Sequence, residues 1–322
     1  MLPDPALFRD AAIAPETRAF NDAFVRQIAD LPPTHTVPPQ VTRAARDAGK
    51  GIFPSGGPLE GSDWMDLPGA PGGCRLRISP APGTPRALYL HIHGGGWVLG
   101  RPSHYDLQNQ ALAAALGVTV ISIEYRLAPE HPWPAAREDC LAAAQWVLAH
   151  GQARFGTDRI ALGGESAGAQ LSAVTALALR DLYLADRLSG LVLNYGCFDL
   201  NQTPSARNWG DRQLVLSTPT IDWFVDQLDP GGSVRLGRMA NPLRADLTGL
   251  PPALFQVGTL DPLVDDSVMM AGRWVAAGNR AELAVYPGGI HAFDMFDLPI
   301  SRDFAARQIA FLKAVLDLPP AP

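Results

Sequence analysis

The sequence predicts an α/β fold, with a mostly parallel central sheet flanked by helices. Three observations carry that expectation. From Arg86 onward, short apolar runs alternate with amphipathic helical stretches, the pattern of stacked β and α units. Val118–Ile123 (VTVISI) is a near-continuous apolar run, as expected for a strand buried on both faces of a parallel sheet. Composition agrees: 322 residues with 47 % hydrophobic and 18 % charged side chains leave ample material for one large core.

The elements follow in order. Pro15–Leu31 reads as a helix, because Phe20, Phe24 and Ile28 recur every four residues with Val25 beside them. Pro-rich connection comes next (Pro32-Pro33, Pro38-Pro39), then a Gly/Pro-rich stretch from Gly49 to Gly73. Such punctuation predicts an irregular arm laid over a core, not a sheet. The first 85 residues hold 14 of the 30 prolines. Strands are expected at Ala87–Ile92, Val118–Ile123, Arg159–Gly163, Leu191–Tyr195, Ala253–Val257 and Ala281–Tyr286. Helices are expected at Tyr105–Leu116, Arg137–Ala149, Ala167–Arg180, Val264–Ala277 and Phe304–Leu316. Asp199–Gly237 breaks the alternation. It holds Pro204, Trp209, Trp223 and Phe224 and no clear strand, so it is an insertion. Its aromatic residues either line an apolar pocket or pack the insertion onto the core.

Bulk properties exclude several functions. Gly (31) and Pro (30) make about a fifth of the chain, above average but short of a disordered composition. A net charge of −6 argues against nucleic acid and acidic membrane surfaces as partners. All but Lys50 and Lys313 of the 26 basic residues are Arg. Three cysteines (Cys74, Cys140, Cys197) without paired spacing predict reduced thiols and a cytoplasmic protein. Met1–Phe20 lacks the pattern of a secretory signal, and no apolar run reaches the roughly 18 residues of a membrane span.

Gly164-Glu165-Ser166-Ala167-Gly168 matches G-x-S-x-G between an expected strand and an expected helix. The tight turn demands small neighbours two residues either side. It pushes the Ser166 hydroxyl out beside a helix N-terminus, where the potential is positive. An inert serine in a glycine-rich turn is the plainer alternative. His93-Gly94-Gly95-Gly96-Trp97 follows the strand Ala87–Ile92. Glycine lets backbone amides approach a reacting carbonyl closely. Acyl transfer needs such donors where oxyanion charge develops. The expected oxyanion hole is Gly94, Gly95 and Ala167. The chain has no Walker lysine and no G-x-G-x-x-G opening a helix, so a phosphate loop is a poor fit. His91 and His93 lack an accompanying carboxylate or Cys cluster, so no metal and no other cofactor is expected.

His291 is the expected general base. It follows Pro287-Gly288-Gly289-Ile290, read as a Gly-rich loop, at the chain position of the histidine in a Ser…Asp…His hydrolase. His131, between prolines, reads as structural. Asp261 is the expected third member, after the strand Ala253–Val257. Asp199 is its rival, while Asp265 and Asp266 read as helix-start residues.

Five motifs together resemble the hormone-sensitive-lipase-like branch of the α/β-hydrolases, the bacterial family IV esterases. They are His93–Trp97, Tyr125–Pro132 (YRLAPEHP), Gly164–Gly168, Asp261–Leu263 and His291–Phe293. The resemblance runs from about Arg86 to the C-terminus. It implies an α/β-hydrolase core at 46–199 and 238–322, and a small helical cap made of an N-terminal arm (1–45) and an insertion (200–237). It also implies that Tyr125–Glu130 brace the oxyanion loop, and that a homodimer forms through the last strand and helix. The family usually has Asp before the nucleophile. Here it is Glu165, which also precedes the nucleophile in larger, disulfide-bonded cholinesterase-like enzymes.

The expected activity is serine carboxylesterase hydrolysis of a small-molecule ester, with short to medium acyl chains implied by the resemblance. Ser166, Asp261 and His291 form the triad. Trp97, Trp209 and Trp223 are candidate substrate-binding residues. Acyl transfer or amide hydrolysis through the same acyl-enzyme is the alternative. A non-catalytic receptor on the same fold is the more remote one, since His291 is present.

Overall fold

The structure is a computed structural model and describes residues 3–318. Eight strands form one sheet: β1 (Asp63–Asp66), β2 (Arg75–Ser79), β3 (Leu88–Ile92), β4 (Thr119–Glu124), β5 (Ile160–Glu165), β6 (Leu188–Asn194), β7 (Ala253–Leu260) and β8 (Ala281–Ile290). Their spatial order is β1-β2-β4-β3-β5-β6-β7-β8. The pairs β1/β2 and β2/β4 are antiparallel, and the rest are parallel. This is the α/β-hydrolase architecture.

Among the described residues, nine helices accompany the sheet: α1 (Pro15–Ile28), α2 (Pro39–Asp47), α3 (Asp106–Leu116), α4 (Ala135–Phe155), α5 (Ala167–Asp181), α6 (Pro204–Arg207), α7 (Thr218–Leu228), α8 (Val264–Ala276) and α9 (Pro299–Val315). The inner strands are apolar on both faces, and the two faces feed different clusters. Leu88, Leu90 and Ile92 pack with Ile121, Ile123 and Leu162 under α4, α5 and α8. Tyr89, Val120 and Val192 face the other way, against Leu112, Phe311 and Leu312 of α3 and α9. Because side chains alternate along a strand, a one-residue slip would exchange the two cores. Truncating fully buried Leu90 to alanine would cost about 2–5 kcal/mol.

The arm expected to carry no sheet holds one strand, β1, and leads into a second, β2. The correction has a physical reason. β1 is a four-residue edge strand and mostly exposed, so it shows no apolar alternation. In β2 the buried charged residue is Arg77. It is 6 % exposed and donates to both oxygens of fully buried Asp106, at 3.1 and 2.6 Å. β8 also runs through Pro287–Ile290 to end against His291, where a Gly-rich loop was expected. Its edge fits because Gly258 and Gly289 touch: a Cβ on Gly258 would lie 2.0 Å from the Gly289 carbonyl oxygen.

The N-terminal arm and the 200–237 insertion meet over the carboxyl ends of the strands. Asn21 on α1 donates to the Gly288 carbonyl at 2.9 Å, three residues before His291. Phe20 and Phe24 pack on Phe296 at 4.8 and 5.5 Å between ring centroids. His35 and Thr220 on α7 are hydrogen-bonded at 3.0 Å, linking arm to insertion. α2 ends at Asp47, and Ile52 and Phe53 line the cavity below.

Candidate active site

The sharp turn between β5 and α5 places Ser166. Its φ of 56° and ψ of −119° lie where a side chain is strained. Both flanking glycines are required by contact. A Cβ at Gly164 or Gly168 would lie 2.0 or 1.9 Å from the Ile92 carbonyl oxygen.

Three residues distant in sequence converge here. His291 Nε2 lies 2.9 Å from Ser166 Oγ, and His291 Nδ1 lies 2.8 Å from Asp261 Oδ2. Asp261 is fully buried, and its other oxygen accepts the Leu263 amide at 2.9 Å. A buried carboxylate on Nδ1 fixes the imidazole orientation and leaves Nε2 to receive a proton from the serine. The Tyr195 and His291 rings meet in a T-shaped contact at 5.0 Å between centroids. The rival Asp199 is occupied elsewhere, accepting two hydrogen bonds from Arg244 at 2.9 and 3.1 Å. Asp265 and Asp266 hold the insertion: Asp265 accepts the Ser205 amide, and Asp266 accepts those of Phe198 and Asp199.

Gly94, Gly95 and Ala167 all line the cavity beside Ser166, but their amides are not equivalent. The Gly94 N–H donates to the Tyr105 hydroxyl at 3.2 Å. The amides of Gly95, Gly96 and Ala167 donate to no protein acceptor among the described residues. Gly95 and Gly96 are closely fitted: an added Cβ would lie 2.0 Å from the Leu99 carbonyl oxygen or 2.3 Å from the Phe224 ring. Tyr125 holds this loop from behind. Its hydroxyl donates to the His93 carbonyl at 2.9 Å, and its ring stacks on His93 at 4.2 Å. Arg43 of α2 then ties Glu130 and the carbonyls of Val98 and Ala128 together at 2.7–2.9 Å. That contact holds the Glu130 carboxyl down at about 2.

The tryptophans divide. Trp97 lines the cavity, with Nε1 donating to Gln170 at 3.0 Å. Trp209 and Trp223 are not on its wall. Trp209 donates to the Arg212 carbonyl at 2.8 Å in a surface turn. Trp223 precedes Phe224 on α7, and a step of about 100° per residue turns the two to different sides. Phe224 and Ile221 form that wall instead. The cavity holds about 320 Å³.

Two polar contacts are invisible in sequence. His91 Nε2 lies 2.8 Å from Glu165 Oε2, and its Nδ1 lies 2.7 Å from Ser122 Oγ. Register explains the first: Ile92 pairs with Gly164, which sets His91 beside the end of β5. Burial pushes the His93 imidazole well below its usual value, so that ring is neutral. Among the described residues no three His, Cys, Asp or Glu side chains are grouped to hold a metal.

Comparison with known proteins points one way. A family model described as the alpha/beta hydrolase fold matches residues 89–295. The carboxylesterase NlhH of Mycobacterium tuberculosis is 36 % identical over 237 residues, covering 71 % of this chain and 74 % of its own. The ethyl acetate hydrolase of Pseudomonas putida is 35 % identical over 225 residues, 66 % of this chain and 67 % of its own. The solved hyperthermophilic esterase of the archaeon Pyrobaculum calidifontis superposes with a TM-score of 0.84 at 30 % identity, covering 94 % of this chain and 98 % of its own.

Proposed function

We propose, for a chain that belongs to the hormone-sensitive-lipase-like branch of the α/β-hydrolases, a serine carboxylesterase in which Ser166, His291 and Asp261 carry the reaction. The observation that supports this most is the unbroken line from Asp261 through His291 to Ser166, at 2.8 and 2.9 Å. As Ser166 Oγ attacks the ester carbonyl, its proton passes to His291 Nε2. Asp261 stabilises the imidazolium that forms. The C–O bond to the alcohol breaks, the alcohol leaves with that proton, and the acyl group stays on Ser166. His291 then takes a proton from water, whose oxygen attacks the acyl carbon; the bond from that carbon to Ser166 Oγ breaks, the proton returns from His291 to Ser166, and the acid leaves. Developing negative charge on the carbonyl oxygen is met by the amides of Gly95, Gly96 and Ala167. Gly94 instead anchors the loop through Tyr105, in contrast to the role expected for it. Losing one such donor costs about 3–4 kcal/mol of transition-state stabilisation.

The cavity of about 320 Å³ fits esters of short to medium acyl chain. Residues 1–45 and 200–237 act as a cap, with Ile221 and Phe224 on the acyl-binding wall. Among the described residues no helix is long and apolar enough to cross a membrane. Free, buried thiols at Cys74, Cys140 and Cys197 favour a cytoplasmic enzyme. The net charge of −6 disfavours a nucleic-acid partner, and a homodimer through the last strand and helix rests on the family resemblance. A fluorophosphonate probe tests the assignment: one equivalent should attach to Ser166. A probe that leaves Ser166 unmodified would refute it.

A further inference from the structure

We propose that Arg46 binds the carboxylate of an anionic ester, so that the enzyme favours esters carrying a second, ionised acid group over neutral esters of the same size. The inference rests on the esterase reading and names its substrate class.

The argument begins with the charges on the cavity wall. Among the described residues these are Arg46, Lys50 and Glu165. Glu165 is engaged by His91. That leaves a cationic patch at one end of an otherwise largely apolar cavity.

Arg46 lies on α2, three residues after Arg43, and the two behave oppositely. Arg43 spends its donors on Glu130 and two carbonyls. The Arg46 side chain makes no hydrogen bond and no ion pair among the described residues. Its neighbour Asp47 is turned to His104 at 2.9 Å and Arg101 at 3.5 Å. The Arg46 guanidinium sits 5.4 Å from the centre of the Phe53 ring. Gly51 leaves room for its stem, since a Cβ there would lie 3.2 Å from Arg46 Cγ. Burial presses this guanidinium down from its ordinary value, yet an arginine stays charged in proteins. A half-buried cation whose side chain has no partner gains from a ligand that supplies the counterion.

The guanidinium fork matches a carboxylate with two parallel hydrogen bonds. One half-buried fork beside an apolar wall suits a single carboxylate better than a doubly charged phosphate. The carboxylate could belong to the acyl group or to the alcohol, and the test separates the two.

The full-length enzyme is assayed on two matched pairs. 4-Nitrophenyl hexanoate against the 4-nitrophenyl monoester of adipic acid places the charge on the acyl side. Phenyl butyrate against 4-(butyryloxy)benzoate places it on the alcohol side. In one pair, the anionic-to-neutral ratio of kcat/KM should fall about tenfold in Arg46→Gln, chiefly through KM, as loss of a charged hydrogen bond predicts. Arg46→Lys should restore part of it. Exposed Lys50→Gln should lower the same ratio by a smaller factor and gives a second reading should Arg46→Gln fold poorly. Ratios that stay within twofold of wild type in both pairs for Arg46→Lys and Lys50→Gln, and for Arg46→Gln where it folds, would overturn the proposal. Wild-type enzyme that cleaves neither neutral ester would instead overturn the esterase reading, and the proposal with it.

Discussion

Glu165 and His91 meet at 2.8 Å directly beneath the nucleophile turn, with side chains 9 % and 2 % exposed. The residue before Ser166, which also lines the cavity, is therefore held by the strand that leads to the glycine loop. Glu165→Ala would strip a buried imidazole of its partner. A loss of about 2–3 kcal/mol in unfolding free energy is expected, and less in Glu165→Gln, whose amide can still bond. Urea unfolding of the two variants measures this. Equal stability of Glu165→Ala and wild type would show that the contact contributes nothing.

Tyr105 occupies the Gly94 amide and so sets the position of Gly95 and Gly96. Removing its hydroxyl in Tyr105→Phe should let the loop relax without touching the substrate. We expect kcat to fall roughly 3- to 10-fold with KM little changed, the size of one net hydrogen bond. Steady-state kinetics on 4-nitrophenyl butyrate checks both parameters.

Steric need at the nucleophile turn is specific to two glycines. Gly164→Ala and Gly168→Ala each drive a methyl group into the Ile92 carbonyl oxygen. Each should cost about 3 kcal/mol and most of the activity. Gly272 on α8 has nothing within 4 Å of an added Cβ. Gly272→Ala should therefore be neutral or stabilising by about 0.5–1 kcal/mol. Thermal unfolding of the three variants compares them under one condition.

Asp294 follows His291 by three residues and accepts the Tyr195 hydroxyl at 2.6 Å. Burial raises its carboxyl to about 7, and the nearby Glu165 adds to that. The sign follows from linkage. Between about pH 4 and 7 the folded protein holds this proton while the unfolded chain has lost it, so stability falls as pH rises. The neutral variant Asp294→Asn should escape that fall. Its stability relative to wild type should increase from pH 4 to pH 7, by up to about 4 kcal/mol. Melting curves across that range test it, and a difference independent of pH would contradict it.

Much of the site is legible in the chain because its chemistry demands fixed spacing. Gly164 and Gly168 are set by one backbone contact, and the apolar run Val118–Ile123 declares a strand buried on both faces. Asp261, His291 and Ser166 could be ordered along the chain because each follows a strand. What stayed hidden depends on neighbours far apart in sequence. β1 is too short and exposed to show a period, and β2 carries its buried Arg77 only because Asp106 awaits it. The Gly94 amide looks like its neighbours until Tyr105 is placed beside it. Trp223 and Phe224 are adjacent letters about 100° apart around one helix, so composition could not tell which one faces the cavity.

The central claim is that Ser166 is the nucleophile of an ester hydrolase, and one rate constant tests it most directly. Hydrolysis of 4-nitrophenyl butyrate by folded Ser166→Ala should fall by at least about 10³-fold from wild type, since the acyl-enzyme cannot form. Wild-type activity in that variant would contradict the account.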